Sequence, residues 1–305
     1  MSNKFIQFEL WKDCRNNCKF CFLRGQKDHD KEESLDFIKD KLNSSYMDNY
    51  NEIGFIGGEI FDNQISDKVI RTKFYDLFHI CREKIRLNKL DKIYVATALV
   101  YDVNEYLIPF IELLIEIDII DKVLLCTSYD SKYRFRTKKM KDLWESNMKL
   151  LHKKYPQLKL HTEIIITQYF IDDVLSGAFS IEEFSNKFNT SIDYIEPTSG
   201  LYYLDKKECC KDMPDFFPSL NSFISFMEKT AILSNQIDLS KFLSMDIRSN
   251  TAYCTIDDNR VLIEDRTNSI SEFIDHEKNQ AKYEIGFIDS DYDMRTVVEQ
   301  LYRSL

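Results

Sequence analysis

The sequence predicts an α/β protein: a partial (β/α)6, TIM-like barrel over residues 1–198 and a C-terminal α+β extension over residues 199–305. Three observations predict it. Apolar runs of strand length alternate six times with stretches of helical period before residue 198. Strands separated by helices pair in parallel through right-handed crossovers. Six units fall short of the eight that close a full barrel, so an open, partial barrel is expected.

The elements follow in order. Phe5–Leu10 is the first strand, and a cysteine-bearing loop leaves it. Ser34–Met47 reads as a helix with Leu35, Ile38 and Leu42 on one face and Ser34 as N-cap. Ile53–Ile56 is a short strand ending at Gly57-Gly58, and Ser66–Leu87 is helical. Lys92–Leu99 and Lys122–Thr127 are strands, each followed by a helix, Val103–Ile117 and Thr137–Tyr155. Lys159–Thr167 is the fifth strand, with short helices at Phe170–Ser176 and Ile181–Phe188, and Ile192–Ile195 is the sixth, closed by Pro197. Beyond Thr198 a polar loop with Cys209-Cys210 leads to a helix at Leu220–Leu233. A hairpin is expected from Thr251–Ile256 and Arg260–Glu264, then helical segments around Ser271–Gln280 and Arg295–Leu305. The extension is read as packed on the barrel and covering the substrate.

Composition narrows the function. Of 305 residues 44% are hydrophobic, enough for a large core. No apolar run reaches the roughly 18 residues of a membrane span. Met1-Ser2-Asn3-Lys4 does not open a secretory signal. A cytoplasmic protein is expected, and eight cysteines then belong to a reducing compartment. A net charge of −10 disfavours extended duplex nucleic acid, which needs a broad basic surface, but leaves room for a local basic pocket.

The chemistry-bearing motif is Cys14-Arg15-Asn16-Asn17-Cys18-Lys19-Phe20-Cys21. Its polar residues argue against a buried, inert trio. An odd thiol set in a reducing compartment argues against disulfides. A structural zinc site needs a fourth ligand, for which His29, Cys209 and Cys210 are candidates. A 4Fe–4S cluster with three protein thiolates and one open iron is the other reading.

With Phe20 before the last cysteine, and Gly57-Gly58-Glu59 after the second strand, the chain resembles the radical S-adenosylmethionine (SAM) superfamily over residues 4–198. The resemblance implies a partial (β/α)6 barrel, a 4Fe–4S cluster on Cys14, Cys18 and Cys21, and SAM chelated to the open iron. Reductive cleavage of SAM then yields methionine and a 5′-deoxyadenosyl radical, which abstracts hydrogen from a substrate. The resemblance also implies an electron donor such as flavodoxin or ferredoxin.

Further candidates sit at the ends of strands. Gly57 and Gly58 let backbone approach a ligand, and by resemblance Glu59 accepts from the SAM ammonium. Ser128 and Asp130 match a Ser-x-Asp near the SAM ribose, or form a turn. The basic run Lys132, Arg134, Arg136, Lys138, Lys139, Lys141 carries no acid and is either a solvated face or an anion site, with Arg134 and Arg136 the choices for the latter. Glu163 and Thr167 on the fifth strand, Pro197 on the sixth, and Tyr202 and Tyr203 are weaker candidates. Three cysteines after the barrel, two of them adjacent, make an auxiliary cluster a poor fit.

A small-molecule or nucleotide substrate is expected, favoured by the basic run. The alternatives are maturation of a peptide or protein, including glycyl-radical activation, and a non-catalytic cluster- or zinc-binding protein.

Overall fold

The computed structural model describes residues 5–16, 18, 21, 30–195, 222, 225, 226 and 229, and the backbone of four later strands between 251 and 285. Six parallel strands carry the chain: β1 (Phe5–Glu9), β2 (Glu52–Ile56), β3 (Lys92–Ala96), β4 (Val123–Tyr129), β5 (Lys159–Ile165) and β6 (Thr190–Ile195). They lie side by side in chain order. The order never reverses, as it would in a doubly wound sheet, so the crossover helices fall on one face. Those helices are α1 (Lys31–Asn43), α2 (Lys68–Arg86), α3 (Leu107–Glu116), α4 (Lys138–Lys154), α5 (Gln168–Ser176) and α6 (Ile181–Phe188).

Alternation along the strands sorts the two faces. Ile6, Phe8, Ile53, Phe55, Ile93, Val95, Val123 and Leu125 are buried under the helices. Phe55 meets Phe78 of α2 at 5.1 Å between ring centroids, and Phe74 of α2 meets Phe110 of α3 at 5.5 Å. Tyr129 of β4 meets Trp144 of α4 at 5.3 Å, and Trp144 donates to Thr127 Oγ1 at 3.0 Å. The other face carries polar residues: Gln7, Glu9, Glu52, Lys92, Tyr94, Ser128, His161 and Glu163. Neighbours on that face bind each other, with Tyr94 donating to Glu52 at 3.0 Å and His161 Nδ1 2.8 Å from Ser191 Oγ.

Most predicted elements are present, with boundaries moved by local chemistry. Ser34 does not cap α1. The helix begins a turn earlier, where Asp30 accepts from Glu33 N–H and acidic Glu32 and Glu33 suit the positive end of the helix. Ser34 is instead buried inside the helix. Thr167 lies beyond β5 and caps α5 by accepting from Phe170 N–H.

The extension joins the same sheet. β7 (Thr251–Asp257) pairs in parallel with β1 on the side opposite β2, placing Cys254 level with Phe8. β8 (Arg260–Asp265) completes the expected hairpin. The helix expected around Ser271–Gln280 is absent: β9 (Ile270–Asp275) and β10 (Gln280–Ile285) form a second antiparallel hairpin there. Gln280-Ala281-Lys282-Tyr283-Glu284-Ile285 alternates polar and apolar strictly, a period that suits a strand and not a helix. The segment at 295–305 lies outside the described residues.

The helical residues Ser222, Phe226 and Lys229 dock on α5. Gln168 donates to Ser222 Oγ at 2.9 Å, Phe226 packs on Phe170 at 5.7 Å, and Lys229 Nζ donates to the carbonyls of Val174 and Leu175 at 2.6 and 2.7 Å. No helix among the described residues is long and apolar enough to cross a membrane.

Phe74 is fully buried among Trp11, Phe61, Phe78 and Phe110. Phe74→Ala should therefore destabilise the fold by about 3–5 kcal/mol, read as a lower denaturant midpoint at unchanged slope. A loss below about 1 kcal/mol would mean this cluster is not the centre of the core.

Candidate functional site

The site grows from a backbone seam past the ends of β1 and β2. Leu10 N–H donates to Ile56 C=O at 2.9 Å, Gly58 N–H to Trp11 C=O at 2.7 Å, and Glu59 N–H to Asp13 C=O at 3.1 Å. Two glycines make this approach possible. Gly57 sits at φ +150°, and a Cβ there would lie 2.3 Å from Trp11 O. A Cβ on Gly58 would lie 1.9 Å from Asp13 O, an overlap no backbone can absorb in place. Trp11 Nε1 closes the seam by donating to Glu59 C=O at 2.9 Å.

Side chains brace the same loop. Gln64, in the short turn Asn63–Ile65 after β2, donates to Asp13 Oδ2 at 2.8 Å and accepts from Lys31 Nζ. Asp13 and Lys31 flank the cysteine segment, so one buried amide holds both of its ends. Arg15 pairs with Asp62 at 3.4 Å.

Glu59 is buried at 1% exposure and surrounded by donors. Its Oε1 accepts from Phe61 N–H at 3.0 Å and Thr97 Oγ1 at 2.9 Å, and its Oε2 from Ala98 N–H at 2.5 Å. Tyr101 OH lies 2.6 Å from Thr97 Oγ1 and extends the network. Burial raises Glu59 from its ordinary 4.5 to about 7, while these donors and the nearby Arg134 charge pull it down. Three donors and no acceptor favour the ionised form against that burial and suit the group to a cationic partner.

Cys14 lies near this carboxylate. Cys14, Cys18 and Cys21 are free thiols, and Cys21 N–H donates to Cys18 C=O at 3.1 Å in a tight turn. The Cys14 thiol is pushed up to about 12, first by burial and then by Glu59, with Cys18 and Cys21 adding to the rise. Cys14 thus lies within electrostatic reach of Glu59, Cys18 and Cys21. Among the described residues they are not closed into a ready-made metal site. Phe20 and His29 lie outside the described residues, as do Pro197, Tyr202, Tyr203, Cys209 and Cys210.

The loop after β4 forms the opposite wall. Asp130 Oδ1 accepts from the N–H groups of Lys132, Tyr133 and Arg134 at 3.0, 2.5 and 3.0 Å. This winds residues 130–134 into one turn and leaves Asp130 Oδ2 buried without a partner. Arg134 points inward at 8% exposure, with Nε also buried and unpartnered. Its carbonyl lies 3.9 Å from Cys18 Sγ, which joins this loop to the cysteine loop. Arg136 is exposed and does not share that wall. Ser128 and Glu163 are both half-buried and stand side by side in register on the polar face.

The site therefore draws together Cys14, Cys18, Cys21, Gly57, Gly58, Glu59, Asp130 and Arg134. Thr97, Tyr101 and Gln64 are additions that sequence reasoning missed. Thr97 did carry a signal, as a polar residue just past the end of β3; Gln64 carried none. No protein-family model matches the chain, and no curated protein aligns with it significantly.

The raised Glu59 sets a pH dependence. The folded chain binds this proton more tightly than the unfolded one, so the group's contribution is complete below about pH 4.5 and is lost as pH rises towards 7. A shift of this size is worth about 3 kcal/mol. In the metal-free chain, the stability margin of the wild type over Glu59→Gln should shrink by up to that amount between pH 4.5 and 7, measured by denaturant unfolding. A margin that grows with pH would contradict the assignment.

Proposed function

We propose that the chain is a radical SAM enzyme on a partial (β/α)6 barrel. The observation that carries this reading is the seam that sets Trp11–Asp13, the residues leading into Cys14, against Gly57-Gly58-Glu59. The unreversed strand order supports a barrel, because a curling singly wound sheet encloses its helix-free face. The polar residues on that face suit a lumen that binds a substrate.

The residues present fit the implied groups. Burial above all, and after it the neighbouring Glu59, Cys18 and Cys21, makes Cys14 hold its proton tightly and disfavours its thiolate. A bound cationic centre removes that penalty, and thiolate is the donor that iron–sulfur clusters take. Held by Cys14, Cys18 and Cys21, a 4Fe–4S cluster would supply the electron that splits a carbon–sulfur bond of SAM and so makes the 5′-deoxyadenosyl radical.

The rest is done by the chain. Glu59 takes the SAM ammonium, whose charge offsets the burial that raises its pKa. Gly57 and Gly58 keep that corner free of side chain. The unpartnered Nε of Arg134 suits the SAM carboxylate. The unpartnered Asp130 Oδ2 suits ribose hydroxyls, as do Ser128 and Glu163, which are level with each other on β4 and β5. A primary radical attacks most organic groups, so the site has to exclude water and stray solutes. Ser222 and Phe226, packed on α5, suit such a cover. A small electron-transfer protein of the flavodoxin or ferredoxin kind is the expected reductant.

The test is anaerobic reconstitution. The wild type should take up about four irons and four sulfides per chain and, with dithionite, convert SAM to 5′-deoxyadenosine. Cys18→Ala should lose most of the iron and all of the cleavage. Full cleavage by Cys18→Ala, or stoichiometric zinc in place of iron in the wild type, would sink the proposal.

A further inference from the structure

The basic run after β4 divides once it is folded. Arg134 turns inward, and Lys141 lies over the Tyr129 ring at 5.7 Å. Lys132, Arg136, Lys138 and Lys139 stay on the surface, in a chain whose net charge is −10. Lys138 and Lys139 open α4 with no acid in its first turn, so their charges stand at the positive end of that helix.

An aromatic pair borders this patch. Tyr133, from the turn organised by Asp130, meets Tyr169, on the first turn of α5, edge to face at 5.6 Å and 73°. The Lys132 ammonium lies 5.3 Å from both ring centroids, fixed against two π faces instead of swinging free. The Tyr169 hydroxyl is buried and without a partner. A hydroxyl left without a partner at the edge of this ring pair is a polar group whose hydrogen bond the described residues do not supply.

The patch adjoins the proposed reaction site. Asp130 holds Lys132, Tyr133 and Arg134 in one turn, so consecutive residues face the surface and the interior. We infer that this rim, built from Tyr133, Tyr169, Lys132, Arg136 and Lys138, binds the substrate, and that the substrate is a nucleotide unit of a free nucleotide or a short single strand. The base stacks on the tyrosine pair and bonds the Tyr169 hydroxyl, while Lys132, Arg136 and Lys138 take phosphate. Stacking needs an unpaired base, and the small basic area on an acidic chain suits few phosphates. The inference rests on the radical SAM reading for the chemistry that follows binding, and not for the binding itself.

The test is fluorescence anisotropy with the anaerobically purified full chain and a fluorescein-labelled single-stranded octanucleotide of mixed sequence. Binding should weaken with salt, and Tyr133→Ala and Lys132→Ala should each weaken it by at least about fivefold. Tyr133→Phe should restore the affinity, since it keeps the ring, and so separates lost stacking from lost folding. Competition by nucleoside monophosphates at equal nucleotide concentration assigns the site to a free nucleotide; competition by unlabelled single strand alone assigns it to a nucleic acid. Equal competition by a duplex of the same length or by polyglutamate would overturn the inference, as would wild-type affinity in Tyr133→Ala. Cleavage of SAM without oligonucleotide is scored separately, so the failure of either reading is seen apart from the other.

Discussion

Everything at the candidate site depends on how closely two backbones approach past the ends of β1 and β2. Gly58 N–H reaches Trp11 C=O at 2.7 Å and Glu59 N–H reaches Asp13 C=O at 3.1 Å. These bonds carry the β1–β2 pairing on into what would otherwise be two independent loops. No side chain fits between them, since a Cβ on Gly58 falls 1.9 Å from Asp13 O. The cysteine loop is therefore positioned by main chain, braced at both ends through Gln64, and Glu59 is delivered beside Cys14.

That placement has an electrostatic consequence. Ionisation conflicts with burial there: burial raises the pKa of both Cys14 and Glu59, and at Cys14 the nearby Glu59, Cys18 and Cys21 raise it further. Positively charged ligands resolve the conflict, and the donors around Glu59 hold its carboxylate in the geometry that receives them. The wall from β4 adds the reverse polarity: Asp130 spends one oxygen on three backbone N–H groups and leaves the other free beside an unpartnered Arg134 nitrogen. A site with paired positive and negative vacancies is suited to a zwitterion.

Much of this was legible before the fold was seen. Cysteine spacing and the glycine pair survive in the sequence because each depends on residue type at fixed local distance. The six strands and six helices were legible for the same reason, since periodicity is local. Arg134 and Arg136 looked equivalent, and only the Asp130 turn separates a buried guanidinium from an exposed one. Thr97 and Gln64 act across 38 and 51 residues, on Glu59 and Asp13, so their roles exist only in three dimensions. The misreading at 271–280 arose because Ile270, Phe273 and Ile274 stand at helix-like spacing, and only pairing with β8 and β10 makes that segment a strand.

The central claim is that the seam makes the site, and Gly58→Ala tests it most directly. The measurement is the electron paramagnetic resonance spectrum of the reconstituted, dithionite-reduced protein before and after SAM, with far-ultraviolet circular dichroism to confirm that the variant folds. A SAM-dependent change in the wild-type signal is expected. A folded Gly58→Ala should lose either the cluster signal or its response to SAM. A folded Gly58→Ala with the wild-type signal and the wild-type response would contradict the claim.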